Sequence, residues 1–269
     1  MPGYITTALH CFQHPLPDRP ENLPHRHTEI RYRAPIQFSP MDDTSHLLDS
    51  NIFTCVQHIV GPLIHYGRAV NNTMIFALSY IVAAQTKSTN KTALALNKFL
   101  NYAYTHTNAT LRYVASDIIL HIYSDSSYKS ETKSCSRVGG LFTLTSRAAD
   151  NTRAPNSTPI PNGATYTVSN IMRNVMLSAT EAEAVGLFHN VKDSVTLRSK
   201  LAKMGHPQPA TTIQTYNSNS NGITNENVKQ QKSKAMDMRF YWVQDLVQQK
   251  NFIVYWRPGE QNLADYFTK

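Results

Sequence analysis

Apolar residues return every three or four positions in three stretches before residue 108. Leu48, Ile52, Cys55, Val56, Ile59 and Leu63 predict an amphipathic helix that Ser45 can cap and that Pro62 should kink or shorten. Met74, Ile75, Leu78, Ile81 and Val82 predict a second helix over 72–84, and Leu94, Leu96, Phe99 and Leu100 a third over 89–104. These stripes predict a packed three-helix unit with no chemistry of its own. Beyond residue 108 the pattern turns to strands. Residues 117–125 read as a buried strand with an acid at each end, and 138–146 and 164–170 as β-branched, aromatic strands around a polar hairpin loop at 147–163. A long helix follows over 179–204, with Ala184, Leu187, Phe188, Val191, Val195 and Leu201 on one face, and Gly205 and Pro207 stop it. A short strand at 211–217, helices at 222–228 and 233–250, a strand at 252–256 and a helical end at 262–269 complete the order. An antiparallel meander followed by crossovers predicts an α/β fold, one mixed sheet flanked by helices.

Composition narrows the picture. The chain has 269 residues, 41% of them hydrophobic, which is enough for a core and excludes global disorder. No run approaches the ~20 apolar residues of a membrane span, and the opening MPGYITTALHCFQHP lacks a secretory pattern. Cys11, Cys55 and Cys135 are too scattered for a disulfide framework, so an intracellular setting, cytoplasmic or nuclear, is expected. Seven of the 14 prolines lie in residues 1–44, which predicts an extended tail. Cys11, His14, His25 and His27 in that tail match no common zinc spacing. The formal charge of +8 points to an anionic partner, nucleic acid first, and the membrane is not expected as one.

The carboxylates carry the chemistry. Asp125 falls at the exit of the first strand, Glu181 and Glu183 in the first turn of the long helix, and Asp265 at the start of the last helix, after the Arg257-Pro258-Gly259 turn. In a mixed sheet these points can meet at one rim, where several acids repel unless cations lie between them. Mg²⁺ suits such oxygen donors. Two ions about 4 Å apart can activate a water and stabilise a leaving phosphate oxygen. Each acid also has a plain structural reading: Glu181 answers the helix dipole, Asp125 a strand-end turn, Asp265 a helix start.

Four motifs give the pattern a family. HIYSDSSY at 121–128 with SRVGG at 136–140 resembles the first two strands of the ribonuclease H domain of Ty1/copia retrotransposon polyproteins. LSATEAEA at 177–184, KAMDMRFY at 234–241 and NLADYFTK at 262–269 resemble that family's T-E-A-E segment, K-x-x-D-x-R helix and L-A-D-x-x-T-K ending. The resemblance implies a ribonuclease H-like five-stranded sheet over 109–269 and Mg²⁺- or Mn²⁺-dependent hydrolysis of the RNA strand of RNA–DNA hybrids. It assigns Asp125, Glu183 and Asp265 as catalytic carboxylates and metal ligands, with Glu181 the alternative to Glu183. The family's third carboxylate follows the fourth strand, where this chain has Tyr216, and so impaired activity is expected.

VGPLIHYGRA at 60–69 resembles the helical tail of the same polyprotein's reverse transcriptase, so 45–108 is expected to be its helical remnant, with the polymerase portion upstream in the parent polyprotein. No Y-x-D-D box occurs and the Met41-Asp42-Asp43 run follows Pro40, so polymerase activity is not expected. Lys229, Lys232, Lys234, Arg239 and Arg257 are the candidate nucleic-acid contacts, with Phe240, Tyr241, Trp242, Tyr255 and Trp256 expected mostly in the core. A non-catalytic binding module and an orphan remnant are the alternatives. Neither a G-x-S-x-G elbow nor a phosphate-cradling glycine loop is present.

Overall fold

Asp49, immediately before Ser50, accepts hydrogen bonds from the amides of Asn51 and Ile52 and so sets the start of the long helix of the first unit. The computed structural model describes residues 1–26, 39–146, 162–218, 222 and 237–269. They divide into two units, Met1–Leu111 with Lys269, and Arg112–Thr268.

The first unit holds α1 (Tyr4–Cys11), α2 (Ser50–Ala69), α3 (Ile75–Ala84) and α4 (Asn90–Thr105). Three expectations are corrected here. The N-terminal stretch is not wholly extended: no proline lies between Pro2 and Pro15, and Ile5 and Leu9, one turn apart, are buried in the helical core. Ser45 does not cap α2; its hydroxyl and amide both donate to Asp43. Pro62 does not shorten α2, which continues to Ala69 with Val56, Ile59, Leu63 and Tyr66 buried on both sides of the proline. Asp43 also accepts from the hydroxyl of Thr89, the N-cap of α4, and these bonds, Thr89's first, hold its carboxyl at about 2. That aspartate pins a helix start. No helix among the described residues is long and apolar enough to cross a membrane.

The second unit is built on β1 (Ile119–Ser127), β2 (Ser136–Thr145), β3 (Ala164–Met172), β4 (Thr211–Thr215) and β5 (Phe252–Trp256). They form one mixed sheet in the order β3-β2-β1-β4-β5, with β1–β2 and β2–β3 antiparallel and β1–β4 and β4–β5 parallel. Helices α5 (Ala179–Lys203) and α6 (Asp237–Gln248) and three 3-10 segments, Thr132–Ser134, Gly259–Gln261 and Leu263–Phe267, are the unit's other elements among the described residues. Ser178 caps α5, and Gly205, at φ 91°, takes the left-handed position just past its end. The predicted helix at 222–228 lies outside the described residues apart from Gly222, and so do 147–161 of the loop and 233–236 of the second helix.

Strand β1 alternates as its period demands. Leu120 and Ile122 join the core with Val185, Val191 and Ile213, while His121 and Tyr123 point to the other face. His121 is fully buried, with Nδ1 2.7 Å from Thr212 Oγ1 and its ring edge-on to Tyr123. Burial pushes its pKa down to about 3, so the ring is neutral at pH 7. Asp125 is not at the strand exit as expected: β1 runs two residues further, because β2 pairs with it as far as Ser127 opposite Arg137.

Candidate active site

The parallel pairing of β1 with β4 ends at Tyr123 opposite Gln214, whereas β1 itself extends to Ser127. Beyond that point the β4-side backbone groups of β1 need other partners. Three side chains supply them. Asn262 Nδ2 donates to the carbonyl of Ser124 at 2.8 Å. Glu183 Oε1 accepts from the amide of Ser126 at 3.2 Å. Tyr216, the first residue after β4, reaches the carbonyl of Ser126 with its hydroxyl at 3.5 Å.

Asp125, between those two serines, is 1% exposed and pairs across the ladder with Gly139. Its Oδ2 accepts the hydroxyl of Thr268, which also donates to the backbone carbonyl of Asp265 at 3.0 Å. Asp265 itself is half-buried in the segment Leu263–Phe267, whose N-cap is Asn262. Asp125 and Glu183 are therefore linked through one strand residue, and Asp265 joins them through Thr268. No three His, Cys, Asp or Glu side chains among the described residues lie close enough together to hold a metal ion.

The two glutamates of α5 separate by role. The amide of Glu181 donates to Ser178 Oγ, and its carboxylate reaches back to the amide of Leu177 at 2.6 Å. It is a helix-start residue. Glu183, 2% exposed, is the one that reaches β1.

Close packing fixes these positions. A Cβ on Gly139 would stand 2.7 Å from Thr268 Cγ2 and 2.8 Å from the carbonyl of Ala264, while one on Gly140, on the opposite face, would collide with Asn190. The Gly139-Gly140 pair thus lets the 3-10 segment and α5 approach β2 from its two sides. Asn190, wholly buried, donates to Ser124 Oγ at 2.9 Å and to the carbonyl of Gly139 at 3.0 Å. Arg137, also buried, bonds Glu131 at 2.6 Å and Ser169 Oγ at 3.0 Å, and Ser169 in turn donates to the carbonyl of Phe267. Sequence reasoning missed Asn190, Asn262 and Thr268 as site builders. Asn190 left a signal: it is an amide on the stripe of α5 that buries Leu187, Val191 and Ser194.

The proposed nucleic-acid contacts do not form one cluster among the described residues. Lys229, Lys232 and Lys234 lie outside them. Arg239 is exposed on α6, its guanidinium 5.7 Å from the Phe188 ring centre beside Lys192, Met238 and Trp242. Arg257 is half-buried and stands 5.4 Å over the Tyr255 ring. The aromatics divide, contrary to expectation: Phe240 is buried, but Tyr241, Trp242 and Trp256 are exposed because α6 and β5 each turn only one face inward. Trp256 donates its indole N–H to the carbonyl of Tyr216 at 2.6 Å, anchoring that residue's backbone.

No family model matches the chain. Its sequence is similar to the retrovirus-related Pol polyprotein from transposon TNT 1-94 of Nicotiana tabacum, 24% identical over 176 residues, which is 65% of this chain and 12% of that polyprotein. Among solved structures it resembles the N-terminal RNase H domain of rv2228c from Mycobacterium tuberculosis, at 16% identity and TM-score 0.38, covering 56% of this chain and 91% of that one. LC11-RNase H1, isolated from compost by a metagenomic approach, gives 15% identity and TM-score 0.40, covering 56% and 92%. The motifs and their order along the chain agree with the similarity to that Pol polyprotein, and the second unit has the mixed five-stranded sheet flanked by helices that the resemblance predicts.

Proposed function

We propose that this is a retrotransposon-derived ribonuclease H-like domain, descended from a hydrolase of the RNA strand of RNA–DNA hybrids, in which that activity is impaired. Asp125, Glu183 and Asp265 are the inherited acids in this reading. The observation that carries it is Tyr216, whose hydroxyl reaches the carbonyl of Ser126, the residue that follows Asp125 and whose amide donates to Glu183, at the place where the family resemblance puts a carboxylate. A phenol with a pKa of about 10 offers no anionic oxygen at neutral pH, and Asn217 beside it can offer only a neutral one.

The fold class uses divalent metal ions, but the residues here do not fit a pair of them. Asp125 and Glu183 each have one oxygen bonded to a buried donor, and among the described residues no three acids, Asp265 included, stand close enough together to hold an ion. Polymerase activity is no part of the reading, since the chain has no Y-x-D-D box. A second reading, hybrid binding without turnover, is favoured by the exposed Arg239, Lys192 and Trp242.

Incubation of the chain and of Tyr216→Asp with a labelled RNA–DNA hybrid and Mg²⁺ or Mn²⁺ tests the proposal. Weak or absent cleavage by the unmodified chain and faster cleavage by the variant are expected. Robust cleavage by the unmodified chain would overturn it.

A further inference from the structure

Each of the two buried acids of the site has one oxygen bonded to a neighbour that needs it. The β1 amide of Ser126 lies past the end of the β4 ladder, and Glu183 Oε1 is the acceptor it has. An amide left without one at this depth is costly. Asp125 receives the hydroxyl of Thr268, which fastens the segment after Asp265 onto β1; the same segment is tied again by Asn262 to Ser124 and by Ser169 to Phe267. Acids that cage ions stand close, repel one another and destabilise the ion-free protein, so neutralising one of them raises stability. Acids that accept bonds from buried donors have the opposite sign.

We infer that Asp125 and Glu183 act in this chain as structural anchors, fastening the 3-10 segment Leu263–Phe267 and α5 to β1, in place of caging metal ions. The inference rests on the reading of an impaired centre and goes further, because a centre that merely lost one ligand would keep the repulsion of the acids that remain.

Thermal unfolding in ion-free buffer reads the sign. Asp125→Asn and Glu183→Gln are expected to lower Tm or leave it unchanged. Thr268→Val is expected to lower it by a few degrees, while Thr268→Ser, which keeps the hydroxyl, restores it. Adding 10 mM Mg²⁺ is expected to leave the Tm of the unmodified chain unchanged. A higher Tm for Asp125→Asn or Glu183→Gln, or a rise with Mg²⁺ that Asp125→Asn abolishes, would overturn the anchoring. Hybrid cleavage is measured separately: no cleavage together with a raised Tm for Asp125→Asn would sink the anchoring and leave the impaired-nuclease reading standing.

Discussion

Gly186 of α5 rests against the side chain of Ser126 on β1, so closely that a Cβ at position 186 would fall far inside van der Waals contact with Ser126 Oγ. Either the buried Ser126 hydroxyl must turn away or the helix must yield. Gly186→Ala should cost about 1–3 kcal/mol through overpacking, even though alanine favours helix. Chemical denaturation measures it, and a stabilised variant would show that the helix is not seated as described.

Asn190 joins α5 to both β1 and β2 through a single amide group. Asn190→Ala leaves Ser124 Oγ and the carbonyl of Gly139 without this donor in a dry interior. A loss of about 1–3 kcal/mol is expected for each group left unsatisfied. The same denaturation series should show Asn190→Leu no better, because the acceptors stay buried.

His121 gives the stability a pH dependence of known sign. Its folded pKa is about 3 against 6.5 for the free side chain. As pH falls below 6.5 the unfolded chain takes up a proton that the folded chain refuses. The contribution is therefore complete above 6.5 and is lost as pH drops towards 3, with a slope of at most about 1.4 kcal/mol per pH unit. His121→Gln should flatten the stability–pH curve in this window relative to the unmodified chain. Parallel curves would show that the ring is not buried in its neutral form.

Much of this was legible in the sequence because periodicity reports burial. The five strands and the long helix α5 of the second unit were found within a few residues. Strand ends were less legible: β1 outruns Asp125 because its partner β2 continues, a fact of pairing and not of local composition. The N-terminal helix was hidden by proline counting, which averages over a proline-free stretch between Pro2 and Pro15. Thr268 and Asn262 could not be read as site builders, since their partners lie more than a hundred residues away in sequence.

If hybrid or single-stranded nucleic acid meets the exposed face of α6, Arg239 and Lys192 contact phosphates while Trp242 offers a stacking surface. Arg239→Ala should weaken binding uniformly across sequences and reduce the salt slope of log K by about 1. Fluorescence anisotropy over a salt series measures this. An unchanged slope would place the contact elsewhere.

The central claim is that the rim around Asp125 no longer supports hydrolysis, with Tyr216 where an acid belongs. Its most direct measurement is the Mg²⁺-dependent cleavage rate of an RNA–DNA hybrid by the unmodified chain, set against the rate of Asp125→Asn prepared in the same way. A rate at or little above that of Asp125→Asn is predicted. Robust cleavage by the unmodified chain that Asp125→Asn abolishes would contradict the account.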